Sequence, residues 1–303
     1  MIAANRAVHA PTKQGPSGEN SGTFVPLAQS VTADDPLGRL AAWPGVAQTV
    51  AEARAAVDGL LNHRMLRQRS AEVSAESSLR GARASAELDG AAVELEWLRV
   101  QLMAGGPLTL PEPGRAVVEG TVRLHAELGT MLAVWERAPR QALARMHVLA
   151  ASGFLDSTEL GRPRHDAVAE DPLGLGAAPD AATVPPRLNA LADLVVTPTA
   201  APALVTYALV HGELLTLRPF PAGNGLVARA AGRLVLIARG LDPKSVSVPE
   251  VGHRELHTEY AAAARDYAAG TADGLARWVR HCGRAVALGA REGLAVCEAL
   301  VRG

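Results

Sequence analysis

The chain has 303 residues, of which 48% are hydrophobic and 20% charged, and its formal net charge is -1. This composition excludes a disordered or fibrous protein. The near-neutral net charge argues against nonspecific electrostatic binding to nucleic acid or anionic lipid. The two cysteines are too few for a disulfide scaffold, and no apolar run is long enough to span a bilayer or act as a signal peptide. We therefore expect a cytoplasmic globular protein with neither a nucleic-acid nor a membrane partner.

The N-terminal half divides into a leader and a series of helices. Residues 1–34 mix proline, glycine, serine and threonine without hydrophobic periodicity, which predicts a mobile leader. Further along, apolar residues recur every three or four positions, which is the period of an amphipathic helix. The helices predicted from this spacing cover residues 44–68, 72–88, 92–103, 115–136 and 140–151.

Residues 161–186 are rich in proline and glycine and have no helical period. Such a composition predicts a long irregular loop, and loops of this length inside a domain are usually functional or disordered. Residues 167–169 are the only short candidate for an edge strand.

The best candidate for a functional site lies in residues 203–238. Residues 203–217 are apolar on nearly every face, as in a buried helix, and two prolines then end this helix. Gly223, Asn224 and Gly225 follow and open onto a second apolar helix. Backbone N–H groups at such a helix start form a concave set of donors which, with the helix dipole, attracts phosphate or carboxylate.

Arg229 lies early in this second helix, where a cation opposes the helix dipole, so we expect an acid or a bound anion beside it. An ordinary helix–loop–helix corner with solvated arginines explains the same spacing about equally well, because short glycine motifs often occur without a ligand. Spacing alone leaves both interpretations open.

The last part of the chain predicts two more helices, over residues 255–269 and 273–301. Tyr260, Tyr267 and Trp278 have spacings that suit a hydrophobic core or a subunit interface, and we expect the core. No clear strand is predicted anywhere in the chain, so the expected fold class is all-α.

Residues 217–229 resemble the signature of the Fic (Fido) family of adenylyltransferases, His-Pro-Phe-x-Asp/Glu-Gly-Asn-Gly-Arg-x-x-Arg. The matching residues are Pro219, Phe220, Gly223, Asn224, Gly225 and Arg229. Three positions differ: the family histidine is Arg218, its metal-binding acid is Ala222 and its first arginine is Leu226. The resemblance implies that the matching residues, with Arg218, bind a nucleotide such as ATP or a simpler anion such as phosphate.

The differences from the signature bear on catalysis. In the family the histidine takes the proton of the target hydroxyl, and the acid holds Mg²⁺ against the nucleotide phosphates. Arginine stays protonated, with a pKa above about 12, so Arg218 cannot act as a general base near neutral pH. Ala222 binds no metal. We therefore expect no catalytic residue and no metal ligand at these positions, which argues against bound Mg²⁺.

A second motif supports the resemblance. Residues 85–90, with Ser85, Asp89 and Gly90, are similar to the inhibitory motif Ser/Thr-x-x-x-Glu-Gly/Asn, with aspartate in place of glutamate. In the family this acid pairs with the last arginine of the signature, here Arg229. Because aspartate is one methylene shorter, we expect a long or water-bridged contact. Residues 161–164 resemble the approach to the family's flap, a hairpin that clamps the target segment.

The resemblance implies an all-α, Fic-type helical bundle with at most a short β-hairpin flap. We expect one domain over residues 35–303, in which bracing helices (35–150) support a Fic core (151–303). The expected function is that of a nucleotide- or anion-binding pseudoenzyme, impaired in the transfer of AMP to an unknown target protein. The family often forms dimers, which makes a homodimer a further expectation. The alternatives are an active transferase with His211 or His165 as a displaced base, and a purely structural interaction module.

Overall fold

The computed structural model describes residues 35–302, and the predicted leader lies outside this range. The described residues form α-helices joined by loops and two short 3₁₀ turns, with no β-strand among them. The helices are α1 (Pro36–Ala41), α2 (Pro44–Leu61), α3 (Met65–Gln68), α4 (Ser70–Leu88), α5 (Leu95–Ala104), α6 (Gly114–Glu127), α7 (Leu132–Trp135), α8 (Pro139–Ala151), α9 (Val184–Val196), α10 (Ala203–Leu217), α11 (Asn224–Ala238), α12 (Pro249–Glu255), α13 (His257–Ala268) and α14 (Ala272–Arg302). The all-α fold class is thus confirmed.

Helices α10 and α11 form the centre of the fold and pack against each other. α10 is apolar on nearly every face, so it is stable only when other helices surround it. α9, α13 and α14 cover α10, while α4, α7 and α8 cover α11. As a result, the corner between α10 and α11 lies inside the domain.

The N-terminal helices are closely joined to this centre. α4 packs on α6 and α12, α6 packs on α8, and α2 packs along α14. A Cβ atom on Gly120 of α6 would lie only 1.9 Å from the backbone oxygen of Ala150, at the end of α8. Because no larger residue fits there, glycine sets the distance between these two helices.

Two predicted helices are interrupted in the structure. The helix predicted over residues 44–68 stops at Leu61, and α3 begins at Met65, whose N–H donates to Nδ1 of His63 at 3.3 Å. The helix predicted over 115–136 changes to a 3₁₀ turn after Glu127, where the Thr130 hydroxyl donates to the Glu127 carbonyl at 2.7 Å. Local side-chain hydrogen bonds of this kind compete with the regular helical ladder.

The edge strand predicted over residues 167–169 is not formed. Val168 in this segment is 75% exposed and has no neighbouring strand with which to pair. Since a strand is stabilised through pairing, its isolated β propensity is not sufficient.

Tyr260 and Trp278 are buried in the main hydrophobic core, as predicted. Cys282 and Cys297 are buried free thiols. Within residues 35–302, no helix combines the length and apolarity needed to cross a bilayer.

Candidate anion site at the start of helix α11

The corner between α10 and α11 is closed by local hydrogen bonds. Gly223 precedes α11 with φ of 69°, a left-handed conformation that favours glycine. The side chain of Asn224 accepts the N–H of Phe220 at 2.9 Å and donates to the Phe220 carbonyl at 2.8 Å. This reciprocal pair holds the loop against the first turn of the helix.

The first turn of α11 presents backbone donors. The N–H groups of Asn224, Gly225 and Leu226 have no hydrogen-bond partner among the described residues, as is usual for the first positions of a helix. The N–H of Gly223 donates to Oε2 of Glu170 at 3.3 Å. One protein carboxylate therefore already lies at this turn, and three donors remain unpaired.

Arg229 contacts both parts of the upstream motif. Its Nε donates to the Ser85 hydroxyl at 2.8 Å and its Nη2 to the Ser85 carbonyl at 3.0 Å. The same Nη2 donates to Oδ1 of Asp89 in an ion pair whose side chains are 1% and 7% exposed. The contact is direct, so the expectation of a long or water-bridged pair was wrong.

Burial disfavours the charged form of Arg229, but the nearby carboxylate of Asp89 outweighs this effect and raises the pKa of the guanidinium. Arg229 therefore stays charged. Its Nη1 is buried and forms no hydrogen bond of good geometry with the described residues, although the Tyr260 hydroxyl lies near the guanidinium and also raises its pKa. A Cβ atom on Gly225 would lie 3.0 Å from this Nη1 and 2.6 Å from Oδ1 of Asp89. This nitrogen and the carboxylate thus lie directly beside the first turn of α11.

Arg218 extends away from this turn. It ends α10 with φ of 48°, and its Nη2 donates to the carbonyl of Gly176 at 2.6 Å. Its Nη1 lies 3.4 Å from a carboxylate oxygen of Asp171. Arg218 was predicted to bind an anion with the glycine turn, but its side chain contacts the loop that precedes α9 instead.

The loop between α8 and the 3₁₀ turn that precedes α9, residues 152–180, covers this corner and is called the covering loop below. The N–H of Arg164 donates to the Pro219 carbonyl at 2.8 Å, and the N–H of Glu170 donates to the Pro221 carbonyl at 2.9 Å. The buried guanidinium of Arg164 donates to the carbonyls of Leu217 and Arg218. The segment that resembles the flap therefore lies against the signature without forming a hairpin.

His147 of α8 contacts the signature, which the sequence did not predict. Its ring stacks on Phe220 with centroids 4.0 Å apart, and its Nδ1 accepts the N–H of Gly161 at 2.9 Å. Its Nε2 lies 3.2 Å from the Ala222 carbonyl. Burial lowers the pKa of His147 to about 4, so the neutral ring donates from Nε2. No sequence pattern marks this contact, because α8 is remote from the signature along the chain.

The two alternative bases lie in different environments. His211 is fully buried, its Nε2 is 2.8 Å from the Tyr260 hydroxyl, and burial lowers its pKa well below the usual value. His165 lies on the exposed side of the covering loop. Among residues 35–302 there is no group of three or more His, Cys, Asp or Glu side chains that could hold a metal ion.

The described helices have the fold of the Fic domain, which confirms the resemblance at the level of fold. A Fic family protein from Desulfovibrio desulfuricans G20 has a TM-score of 0.67 and 22% identity, over 84% of this chain and 75% of that one. A fragment of Fic-1 from C. elegans has a TM-score of 0.64 and 18% identity, over 84% and 73% of the two chains. A Fic domain containing signaling protein from Bacteroides thetaiotaomicron VPI-5482 has a TM-score of 0.57 and 14% identity, over 83% and 98%. No protein-family model and no curated protein matches the sequence.

Proposed function

We propose that this chain is a Fic-fold pseudoenzyme that binds a nucleotide or a simpler phosphate-like anion at the start of α11. The observation that carries the proposal is the set of three N–H groups at the start of α11 that have no partner among the described residues. Such donors attract an anion together with the positive end of the helix dipole, and the charged guanidinium of Arg229 lies directly beside them.

The same site is poorly equipped to transfer AMP. Arg218 stands at the position of the family base, cannot accept a proton near neutral pH, and is engaged with Gly176. Ala222 offers no metal ligand. Loss of a general base typically costs about 10² to 10⁴ in rate, and loss of metal stabilisation adds to this cost. Protein adenylylation by this chain is therefore expected to be severely impaired.

Asp89 holds the site in a closed state. Its carboxylate neutralises Arg229 and lies beside the turn where an anion would bind. A nucleotide phosphate must displace this carboxylate, which lowers its affinity. Removal of the charge of Asp89 should therefore increase the affinity for anions.

A structural interaction module is the second candidate. Asn224 and Arg229 are 4% and 2% exposed, so side chains of the protein fill the corner in this state. The active-transferase alternative has weaker support. Nε2 of His211 is buried against the Tyr260 hydroxyl, which keeps it from a target hydroxyl. His165 is exposed, and it would act as a base only after a rearrangement of its loop.

The test is calorimetric titration of wild type and Asp89→Asn with ATP, ADP and inorganic phosphate, with and without Mg²⁺. The asparagine keeps the hydrogen-bonding shape and removes the charge. We expect at least one of these anions to bind, with an affinity about tenfold higher in Asp89→Asn and independent of Mg²⁺. Glu87→Gln, which removes a half-exposed acid from the same helix, is the matched control and should leave the affinity unchanged.

The outcomes separate the three candidates. No binding by either folded protein would reject the proposal and favour the interaction module. Incorporation of label from α-labelled ATP into protein, abolished by Asn224→Ala, would show that the chain is an active transferase.

A further inference from the structure

The covering loop places a carboxylate on the glycine turn. Oε2 of Glu170 accepts the N–H of Gly223 at 3.3 Å, and this carboxylate has no other hydrogen bond with the described residues. The N–H of Glu170 donates to the Pro221 carbonyl at 2.9 Å, which fixes the backbone of this residue beside the turn. Glu170 is exposed to solvent. The carboxylate can therefore leave the turn by rotation of its side chain, while the fold stays intact.

The charge of Glu170 differs from that of Asp89, the other acid at this corner. Asp89 is neutralised by Arg229, whereas Glu170 forms no ion pair with the described residues. The positive end of the α11 dipole is what attracts the Glu170 carboxylate, just as it would attract a phosphate. An external anion at the turn meets this like charge, and the repulsion between them lowers the affinity of the anion.

The part of the covering loop that contains Glu170 has a defined position. At its base, the buried guanidinium of Arg164 donates to the carbonyls of Asp166 and Pro179, both at 2.6 Å. One side chain thus holds both ends of this segment. Between them, Leu173 is buried in the main hydrophobic core. The segment is packed on the domain in a position that keeps Glu170 beside the turn.

Arg218 holds the segment next to Glu170. Its Nη1 lies 3.4 Å from Oδ1 of Asp171, and its Nη2 donates to the Gly176 carbonyl at 2.6 Å. Because Asp171 directly follows Glu170 in the chain, these contacts also restrict the backbone of Glu170. The positive charge of Arg218 is thus paired inside the protein and supports the loop that carries the competing carboxylate.

We propose that Glu170 is an intramolecular competitor for the anion site and that Arg218 holds it in place. The carboxylate occupies the N–H of Gly223 until a phosphate group displaces it into solvent. This inference rests on the proposed function, because it concerns the regulation of the same site. It has an unusual consequence for Arg218: removal of this cation should strengthen the binding of an anion.

The test is calorimetric titration of the full chain with inorganic phosphate and with ADP. Glu170→Gln keeps the size of the side chain and removes its charge, so we expect the affinity to rise about tenfold. The matched control is Asp166→Asn. Asp166 is an exposed acid of the same loop whose carboxylate accepts the N–H of Val168, and its substitution should leave the affinity unchanged.

Arg218→Ala tests the supporting role of Arg218. We expect this variant to bind the same anions about threefold more tightly than wild type, because Glu170 is held less firmly at the turn. In a Glu170→Gln background, Arg218→Ala should have no further effect, since the competing charge is already absent. An affinity of Arg218→Ala equal to or below that of wild type would overturn this role.

A further measurement needs no ligand. In Glu170→Ala the amide of Gly223 should exchange with deuterium about tenfold faster than in wild type, because its acceptor is removed. Equal exchange rates would show that the carboxylate does not cover this N–H group and would overturn the inference.

The binding data separate failure of this inference from failure of the proposed function. If Asp89→Asn binds an anion but Glu170→Gln binds no more tightly than wild type, the inference alone is wrong. Binding that requires Mg²⁺ and is lost in Glu170→Gln would identify Glu170 as a metal ligand and would also overturn it. If wild type, Asp89→Asn and Glu170→Gln all bind neither phosphate nor a nucleotide, the proposed function is rejected and the inference with it.

Discussion

The carboxylate of Asp89, which ends α4, contacts the guanidinium of Arg229 in the second turn of α11, across 140 positions of the sequence. Each charge is unfavourable at its own helix end, because the acid lies at the negative end of α4 and the cation near the positive end of α11. The pair offsets both costs. It also links α4 to the glycine corner, so a displacement of α4 would change the contacts of Arg229 at this corner.

Gly225→Ala should weaken this pair. The new Cβ atom would lie 2.6 Å from Oδ1 of Asp89, so the carboxylate would have to move. We expect a loss of about 1 to 3 kcal/mol in the free energy of unfolding, measured by urea denaturation. In an Asp89→Ala background the same change should cost much less, and a double-mutant cycle should give a coupling of about 1 kcal/mol or more. Additive effects would contradict the close approach of Asp89 to the turn.

Arg218→Ala should loosen the covering loop. The N–H groups of Leu175 and Gly176 both donate to the Asp171 carboxylate at 2.8 Å, and Arg218 contacts this carboxylate and the Gly176 carbonyl. Without the guanidinium, these two amides should exchange with deuterium about tenfold faster, as local opening becomes easier.

The matched control for the loop is Arg265→Ala, because Arg265 donates to the carbonyl of Gly174 from an exposed position. An exposed contact should contribute less than a buried one. Equal exchange rates in wild type and Arg218→Ala would show that Arg218 does not hold the loop.

Gly120→Ala and Gly59→Ala should have opposite effects on stability. At position 120 the Cβ atom would meet the Ala150 oxygen at 1.9 Å, and separating α6 from α8 should cost about 3 kcal/mol. Gly59 lies on the exposed side of α2 with nothing within 4 Å of its Cβ position. Alanine there should stabilise the protein by up to about 1 kcal/mol. Thermal and chemical denaturation of both variants measure these changes, and a stable Gly120→Ala would contradict the observed helix spacing.

Acid should destabilise the protein through its buried histidines. Burial lowers the pKa of both His125 and His147 to about 4, from a usual value of 6.5. The unfolded chain then binds more protons than the folded one, so stability is complete above about pH 6.5 and falls as the pH decreases towards 4. Each histidine should contribute about 1.4 kcal/mol per pH unit in that range.

Denaturation at pH 7.5, 6 and 5 measures this dependence. His125→Leu should make the slope shallower, while His165→Gln, at an exposed position, should not change it. A slope unaffected by His125→Leu would show that His125 does not remain neutral in the folded protein.

Local sequence was sufficient to predict the two helices around the signature and the corner between them. The apolar circumference of residues 203–217, the prolines after them and the glycines at 223 and 225 predict two buried helices with a tight corner, because helix period and turn chemistry are short-range properties. The signature also showed which family residues Arg218 and Ala222 replace. The pairing of Asp89 with Arg229 followed from the resemblance.

Tertiary packing decided the directions and distances of the side chains. The left-handed backbone at Arg218 directs its guanidinium into the covering loop, and Glu170 from that loop reaches the Gly223 N–H. The stacking of His147 on Phe220 and the unpaired nitrogens of His125 depend on helices far apart in the chain. Such contacts have no local signature, because they are set by how closely α4, α6, α8 and α11 approach one another, which depends on the packing of the whole domain.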